Sequence, residues 1–287
     1  MIVQSKYSSG VLKTMKITPR KLILDLLLAG KGLPLSAKEA VAACVFFELG
    51  EVSARVALTR LLADELTEST SRGIYKLGPK AIKVAAEVET WRDANRRARA
   101  WHGDYITVHT SSLGRTDRAA LTRRERAFKL LGFRELEKGL YIRPNNIEKD
   151  VNAVRNRLMS LGLESDAIVC VSSGFEESVE QRIKALWDCA ELIESYRTTS
   201  KQLQQWASHA HQLTHKVAAQ ESFLLGRDAI HQVVFDPMLP TPFIDVAERE
   251  KFIKSVIQFD EVGREIWKRL RDNGFVAEKS EEDLKSA

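Results

Sequence analysis

At 287 residues, with 44% hydrophobic residues, the chain is long enough for two or three domains with ordinary buried cores. Its formal net charge of +5 suits an anionic partner such as nucleic acid, and no apolar run reaches the length of a membrane span. Cys44, Cys170 and Cys189 are odd in number and form no C-x-x-C pair, which argues against a disulfide framework and fits reduced thiols in a bacterial cytoplasm.

The first lysines are not followed by an apolar core, so no signal peptide is expected, and residues 1 to 17 read as a loose polar arm. Thr18 then caps a helix with Pro19 at its first position, and Leu22, Ile23, Leu26 and Leu27 line it up to Gly30. After a turn through Gly32 and Pro34, Ser36 and Glu39 stand at capping-box spacing. They open a second helix with Ala40, Val41, Cys44, Val45 and Phe47, which stops near Gly50. A third helix starts between Glu51 and Ser53, with Val56, Leu58, Leu61, Leu62 and Leu66 expected on its buried side. Thr67 to Lys80 reads as a short hairpin with a basic tip at Arg72-Gly73. Three short helices and a hairpin within about 65 residues is the order of a winged helix-turn-helix domain, assigned to residues 18–80.

Residues 81–100 read as a connecting helix with Trp91, Arg92, Arg96, Arg97 and Arg99. Tyr105 to His109 alternates like a strand, Thr116 to Leu131 like a helix, and Gly139 to Arg143 forms a second strand closed by Pro144. A helix over Ile147 to Leu161 and a third strand over Ala167 to Val171 follow. The order β-α-β-α-β over about 75 residues predicts a small ferredoxin-like α/β sandwich across 101–176. Residues 177–287 read as helical. Leu186, Trp187, Leu192, Ile193 and Tyr196 mark one helix, and Leu203, Trp206, Leu213 and Val217 mark another. A proline-rich break at Asp236–Pro242 precedes a last helix over Ala247 to Leu270. The fold class is therefore α+β. Charge is uneven: Arg92 to Arg126 is arginine-rich, and the tail beyond Phe275 carries Glu278, Glu281, Glu282 and Asp283.

The chemistry concentrates on the third helix and the hairpin. Ser53, Arg55, Thr59 and Arg60 are residue types that read base edges from a helix in a major groove, and Val56 is counted with them. Arg72, Tyr75 and Lys76 would meet phosphate or the minor groove. The bland alternatives are a solvated helix face and an ordinary solvent-facing hairpin. Arg92 to Arg99 could touch phosphates or form the solvated face of a linker helix.

Other chemistry is poorly represented. His209, His211 and His215 invite comparison with metal ligands, and the last two would share a helix face. The stretch His211-Gln212-Leu213-Thr214-His215 lacks the glutamate of a zinc motif, so neither metal nor cofactor is expected. No nucleophile elbow, Walker loop or dinucleotide fingerprint is present, which argues against an enzyme. Cys170, in an apolar strand, reads as core filling. Trp187, Tyr196, Trp206 and Trp267 have the spacing of core residues, and their region is also a candidate ligand pocket.

Three stretches resemble the PaaX family, bacterial repressors of phenylacetate degradation and their relatives. They are Ser53 to Leu61, Arg99 to Tyr105 around Trp101 and Gly103, and Arg123 to Pro144 with its Leu130, Gly132-Phe133, Gly139 and Pro144. The likeness covers about residues 18 to 175. It implies a winged helix at the N-terminus, a ferredoxin-like centre and a helical effector and dimerisation domain. It implies a homodimer on partly palindromic double-stranded operator DNA, released by an acyl-CoA effector, which is phenylacetyl-CoA for the namesake. Asp236-Pro237-Met238-Leu239-Pro240 also resembles a family motif, whereas the rest of the C-terminal third diverges around Arg227, His231 and Phe243 to Glu250. Candidate effector contacts are Trp187, Tyr196, His211, His215, Arg227 and His231. The expected function is a repressor of an aromatic-compound catabolic operon that answers to a CoA thioester or related aromatic effector. The alternatives are a metal-dependent nuclease or RNA-processing enzyme using Asp104 of the central domain, and a DNA-binding protein with no ligand.

Overall fold

The computed structural model of the chain describes residues 17–30 and 33–272. The polar arm up to residue 16, Gly32 in the expected turn and the acidic tail lie outside the described residues. The chain divides into two compact units, Met1–Ile82 and Lys83–Ala287.

The first unit runs α1 (Pro19–Ala29), β1 (Leu35–Ser36), α2 (Ala37–Phe46), α3 (Glu51–Ala63), β2 (Thr67–Ser71) and β3 (Ile74–Leu77). Local chemistry sets the helix starts. The Thr18 hydroxyl accepts from the Lys21 amide at 3.3 Å ahead of Pro19. Ser36 accepts from the Glu39 amide at 3.1 Å, while Glu39 accepts from the Ser36 amide at 2.8 Å, a complete capping box. The three strands form an antiparallel sheet in the order β1-β3-β2, with a bulge between Ser69 and Ser71. Leu22, Ile23 and Leu27 of α1 pack into the core with Ala40 and Cys44 of α2 and Ala54, Ala57, Leu58 and Leu61 of α3. Gly78 follows β3 where a Cβ would lie 2.4 Å from the Glu65 carbonyl oxygen, so only glycine lets the chain pass the end of α3.

One expectation about α3 is corrected here. Val56 and Leu62 are not on its buried side, being 44% and 41% exposed, and Leu66 beyond the helix is half-buried. The buried stripe steps through Ala54, Ala57, Leu58 and Leu61, rotated from the run of larger apolar residues because alanines fill the close helix contacts.

The chain enters the second unit along α4 (Pro79–Glu89) and a 3-10 helix at Trp91–Arg97. There follow β4 (Tyr105–His109), α5 (Arg118–Leu130), β5 (Arg134–Glu137), β6 (Leu140–Pro144), α6 (Val151–Leu161) and β7 (Ile168–Ser172). These strands form one antiparallel sheet in the order β5-β6-β4-β7. Strand β5 was not expected, since Arg134-Glu135-Leu136-Glu137 lacks a strong apolar alternation, which an edge strand does not need. Asp117 and Asp150 cap α5 and α6.

Ile106, Val108 and Val169 join Phe128 and Leu131 at the α5 end and Val154 and Leu158 of α6 in one core. The opposite face contributes Tyr105 and Ile142 to a second core with the helices that follow. These are α7 (Glu177–Lys184), α8 (Cys189–His209), α9 (His215–Val234) and α10 (Val246–Asp272), with α10 packed along both α8 and α9. Leu203 and Trp206, expected on a separate helix, continue α8 beyond Tyr196, and the break comes at Ala210–Leu213. Cys170 is half-buried and not core filling: it faces the Thr107 hydroxyl at 3.1 Å on the sheet side where β7 is an edge.

Buried arginines fasten the loop between α9 and α10 to the sheet. Arg143 is fully buried and donates to Leu131 O, to Pro144 O at 3.0 Å, to Asn146 Oδ1 at 2.9 Å and to Pro237 O at 3.3 Å. Asn146 Nδ2 donates to Met238 O at 2.7 Å, and Arg249 Nη1 donates to Leu239 O at 2.6 Å. Burial pushes the Arg143 guanidinium down to about 9, so it remains a cation near neutral pH. Gly132, with φ +72°, lets the backbone approach Pro237, since a Cβ there would sit 2.6 Å from Pro237 Cα. The Asp236–Pro240 stretch is thus read carbonyl by carbonyl from the sheet and from α10.

Candidate nucleic-acid interface and helical pocket

With Ala54, Ala57, Leu58 and Leu61 turned inward, α3 presents Val52, Ser53, Arg55, Val56, Thr59 and Arg60 to solvent. Val52, 76% exposed, was missed in the sequence, although it lies one turn before Val56 and so shares its face. The Thr59 hydroxyl donates to Arg55 O at 3.2 Å and keeps lone pairs free. At the hairpin tip Arg72 is exposed and Gly73 takes φ +74°, as the tight turn requires. Tyr75 is half-buried in β3, opposite Leu35 and Ser69.

Ion pairing leaves this surface positive. Asp64 pairs with Arg20 at 2.5 Å, Glu65 with Lys80 at 3.1 Å and Glu68 with Lys76 at 2.8 Å. Lys76 is therefore not a free cation, though an exposed pair of this kind is weak enough to exchange for phosphate. Among the described residues Arg55, Arg60 and Arg72 have no acidic partner. The arrangement offers hydrogen-bond forks from α3, two valine side chains beside them and a cation at the tip. It is suited to an extended anion with apolar and polar edges.

The arginines of residues 92–99 behave otherwise. Arg92 pairs with Asp260 and lies 4.5 Å from the Trp91 ring centroid. Arg97 reaches Glu87 at 2.8 Å and Thr90, and Arg99 donates to Glu148 O at 2.8 Å and to Asn145. Arg96 alone of the four points largely to solvent, beside Asp93. Neither a phosphate-contacting row nor a solvated helix face describes them, because three of the four bind protein acceptors.

Glu87 of α4 is held by Arg157 of α6 as well as by Arg97, and Arg157 also reaches Glu148 at 2.7 Å. Burial alone would raise the Glu87 carboxyl, but the bonds and charges of Arg157 and Arg97 hold it below its usual 4.5. A depressed carboxylate stabilises the fold above its unfolded pKa and loses that contribution as pH falls through the folded one. Glu87→Gln is expected to lower unfolding stability by about 1–3 kcal/mol at pH 7. In urea melts run at decreasing pH, the gap to the parent protein should close only below 4.5. A gap that persists unchanged in acid would refute the ion-pair account.

The helical residues are placed as follows. Trp187 is buried, with its indole N–H donating to Gly132 O at 3.2 Å. Tyr196 is buried, stacks on Phe252 at 5.1 Å and donates its hydroxyl to Asp236. Arg227 pairs with Asp228 at 2.6 Å, and His231 stacks on Phe235 at 4.4 Å. His211 lies in the short 3-10 turn and His215 at the start of α9, so the expected shared helix face does not exist: the chain breaks between them. Among the described residues no group of three His, Cys, Asp or Glu side chains could hold a metal ion. Asp104 accepts from Asn145 Nδ2 at 2.5 Å. No helix of the described residues is long and apolar enough to cross a membrane. A hollow of about 240 Å³ opens beside Trp187, lined by Lys184, Cys189, Pro242 and Phe243.

Residues 187–269 match the family model of the PaaX-like protein C-terminal domain. The chain carries a PaaX-like C-terminal domain. This domain runs from Trp187 through α8 and α9 into α10 and includes the Asp236–Pro240 loop. The match falls on the third of the chain whose residues diverge most by eye. The helical core and the arginine-read loop of the PaaX-like domain are present even where single positions such as Phe243 to Glu250 depart from the family pattern. No curated protein matches the chain. A solved structure, Uncharacterized protein Rv0674 from Mycobacterium tuberculosis, is similar at 20% identity and TM-score 0.51, over 87% of this chain and 99% of that one. At that identity the likeness concerns the fold alone.

Proposed function

We propose that this PaaX-like protein is a DNA-binding transcriptional regulator of the repressor type, and that its first unit is a winged helix-turn-helix. The observation that carries the reading is the exposed face of α3, where Arg55 and Arg60 have no acidic partner while neighbouring carboxylates are already paired. In this reading α3 enters a major groove, with Ser53, Arg55, Thr59 and Arg60 at base edges and Val52 and Val56 against thymine methyl groups. Arg72, Tyr75 and Lys76 follow the backbone or the minor groove. A homodimer would present two such helices to a partly palindromic operator. The four-stranded unit, with strand order β5-β6-β4-β7 and two helices on one face, supports a ferredoxin-like reading of the centre. The regulated operon would serve catabolism of an aromatic compound, whose effector would favour the arrangement that binds DNA poorly.

Fluorescence anisotropy with duplexes from the protein's own promoter region tests this. Binding should prefer one sequence over scrambled duplex and weaken steeply with salt. Arg72→Ala should weaken both duplexes by similar factors and flatten the salt slope by about one. Equal affinity for operator and scrambled duplex at every salt concentration would sink the proposal.

A further inference from the structure

We infer that the hollow beside Trp187 is a binding site for a free aromatic carboxylate. This rests on reading the chain as a ligand-responsive regulator, and it goes further in naming the place and the chemistry of the ligand. The walls are the Trp187 and Phe243 rings and Pro242, and the rim carries Lys184 and the half-buried Cys189. Flat apolar walls with few polar groups select a ring. Lys184 is exposed and makes no ion pair among the described residues, so one ammonium is available for a carboxylate.

Size and charge then decide between an acid and its coenzyme A thioester. A cavity of about 150 Å³ holds a benzene molecule. The 240 Å³ here therefore admits a ring with a short acid side chain and has no room for a nucleotide. A thioester would also bring a pyrophosphate and a further phosphate, groups that proteins hold with several cations or a helix N-terminus. This hollow offers one lysine. The free acid fits on both counts.

The walls are also tied to the rest of the second unit. Phe243 meets Trp187 edge-on at 5.8 Å and Trp101 at 5.2 Å, and Trp101 meets Tyr105 of β4 at 5.5 Å. The Trp187 indole N–H holds Gly132 O, and Gly132 is the residue pressed against Pro237. A ligand that shifts either ring acts on the central strand and on the arginine-read loop together.

Calorimetric titration of the full chain with benzoate and phenylacetate, with phenylacetyl-CoA in parallel and no DNA present, tests the inference. One acid should bind saturably at one site per chain, and the thioester should bind no more tightly than its acid. Lys184→Gln, an exposed change that should leave the melting temperature in place, is expected to weaken acid binding about tenfold. Trp187→Phe should alter the fluorescence response to ligand. Absence of saturable acid binding, equal affinity in Lys184→Gln, or tight thioester binding without acid binding would each overturn the site. Because DNA is left out, operator binding without acid binding refutes this site and spares the regulator. Acid binding without operator binding refutes the regulator and spares the site.

Discussion

Arg143→Met is expected to lower the unfolding free energy of the protein by about 3 kcal/mol or more. Methionine replaces most of the stem volume but donates nothing. The carbonyls of Leu131 and Pro237 and the amide oxygen of Asn146 would then stay buried without this donor. Each unpaired buried acceptor costs about 1–3 kcal/mol, and the relief from burying one cation offsets part of the sum. Unlike a side-chain ion pair, these acceptors are mostly backbone, so no second substitution can remove them. Arg143→Lys should recover little, because one ammonium cannot span acceptors on β6, the Leu131 turn and the Asp236–Pro240 loop. Urea denaturation followed by far-ultraviolet circular dichroism measures the loss. A midpoint unchanged from the parent protein would mean that the loop is held by packing alone.

Arg55→Ala is expected to cost about 1–3 kcal/mol of binding to the preferred duplex, roughly a tenfold to hundredfold loss, with little change on scrambled DNA. The asymmetry follows from position. Arg55 stands on the exposed face of α3 without an acidic partner, so its removal takes away a base-edge contact and disturbs nothing inside the fold. A serine or threonine hydroxyl on the same face cannot replace a two-pronged donor. Anisotropy titrations of both duplexes at matched salt measure the ratio. If both affinities fall by the same factor, Arg55 contacts phosphate, and sequence reading must come from elsewhere on the unit.

Much of the order of elements was legible because helix starts are local events. Thr18-Pro19 and the Ser36/Glu39 pair cap their helices through residues three positions apart, and the structure contains both caps. Strand β5 escaped notice because an edge strand of arginine and glutamate carries no alternating apolar signal. The α3 face was read a fraction of a turn off, because large apolar residues drew attention from the alanines that make the contact. In the candidate site, Ser53, Arg55, Thr59, Arg60 and Arg72 could be named from residue type. That Glu68 already holds Lys76 could not be read, since it depends on the register of β2 against β3.

Sequence by itself determined the helix caps, the basic hairpin tip and the polar face of α3, all set by neighbours within a turn or two. Tertiary structure alone decided which arginines are free. Arg55 and Arg143 look alike in the sequence, yet one stands exposed and the other is fully buried among carbonyls as far along the chain as Pro237. Arg92 likewise finds its partner 168 residues away, at Asp260. Composition counts charges, but whether a charge meets solvent, a partner carboxylate or a buried carbonyl depends on what the fold brings within about 3 Å of it.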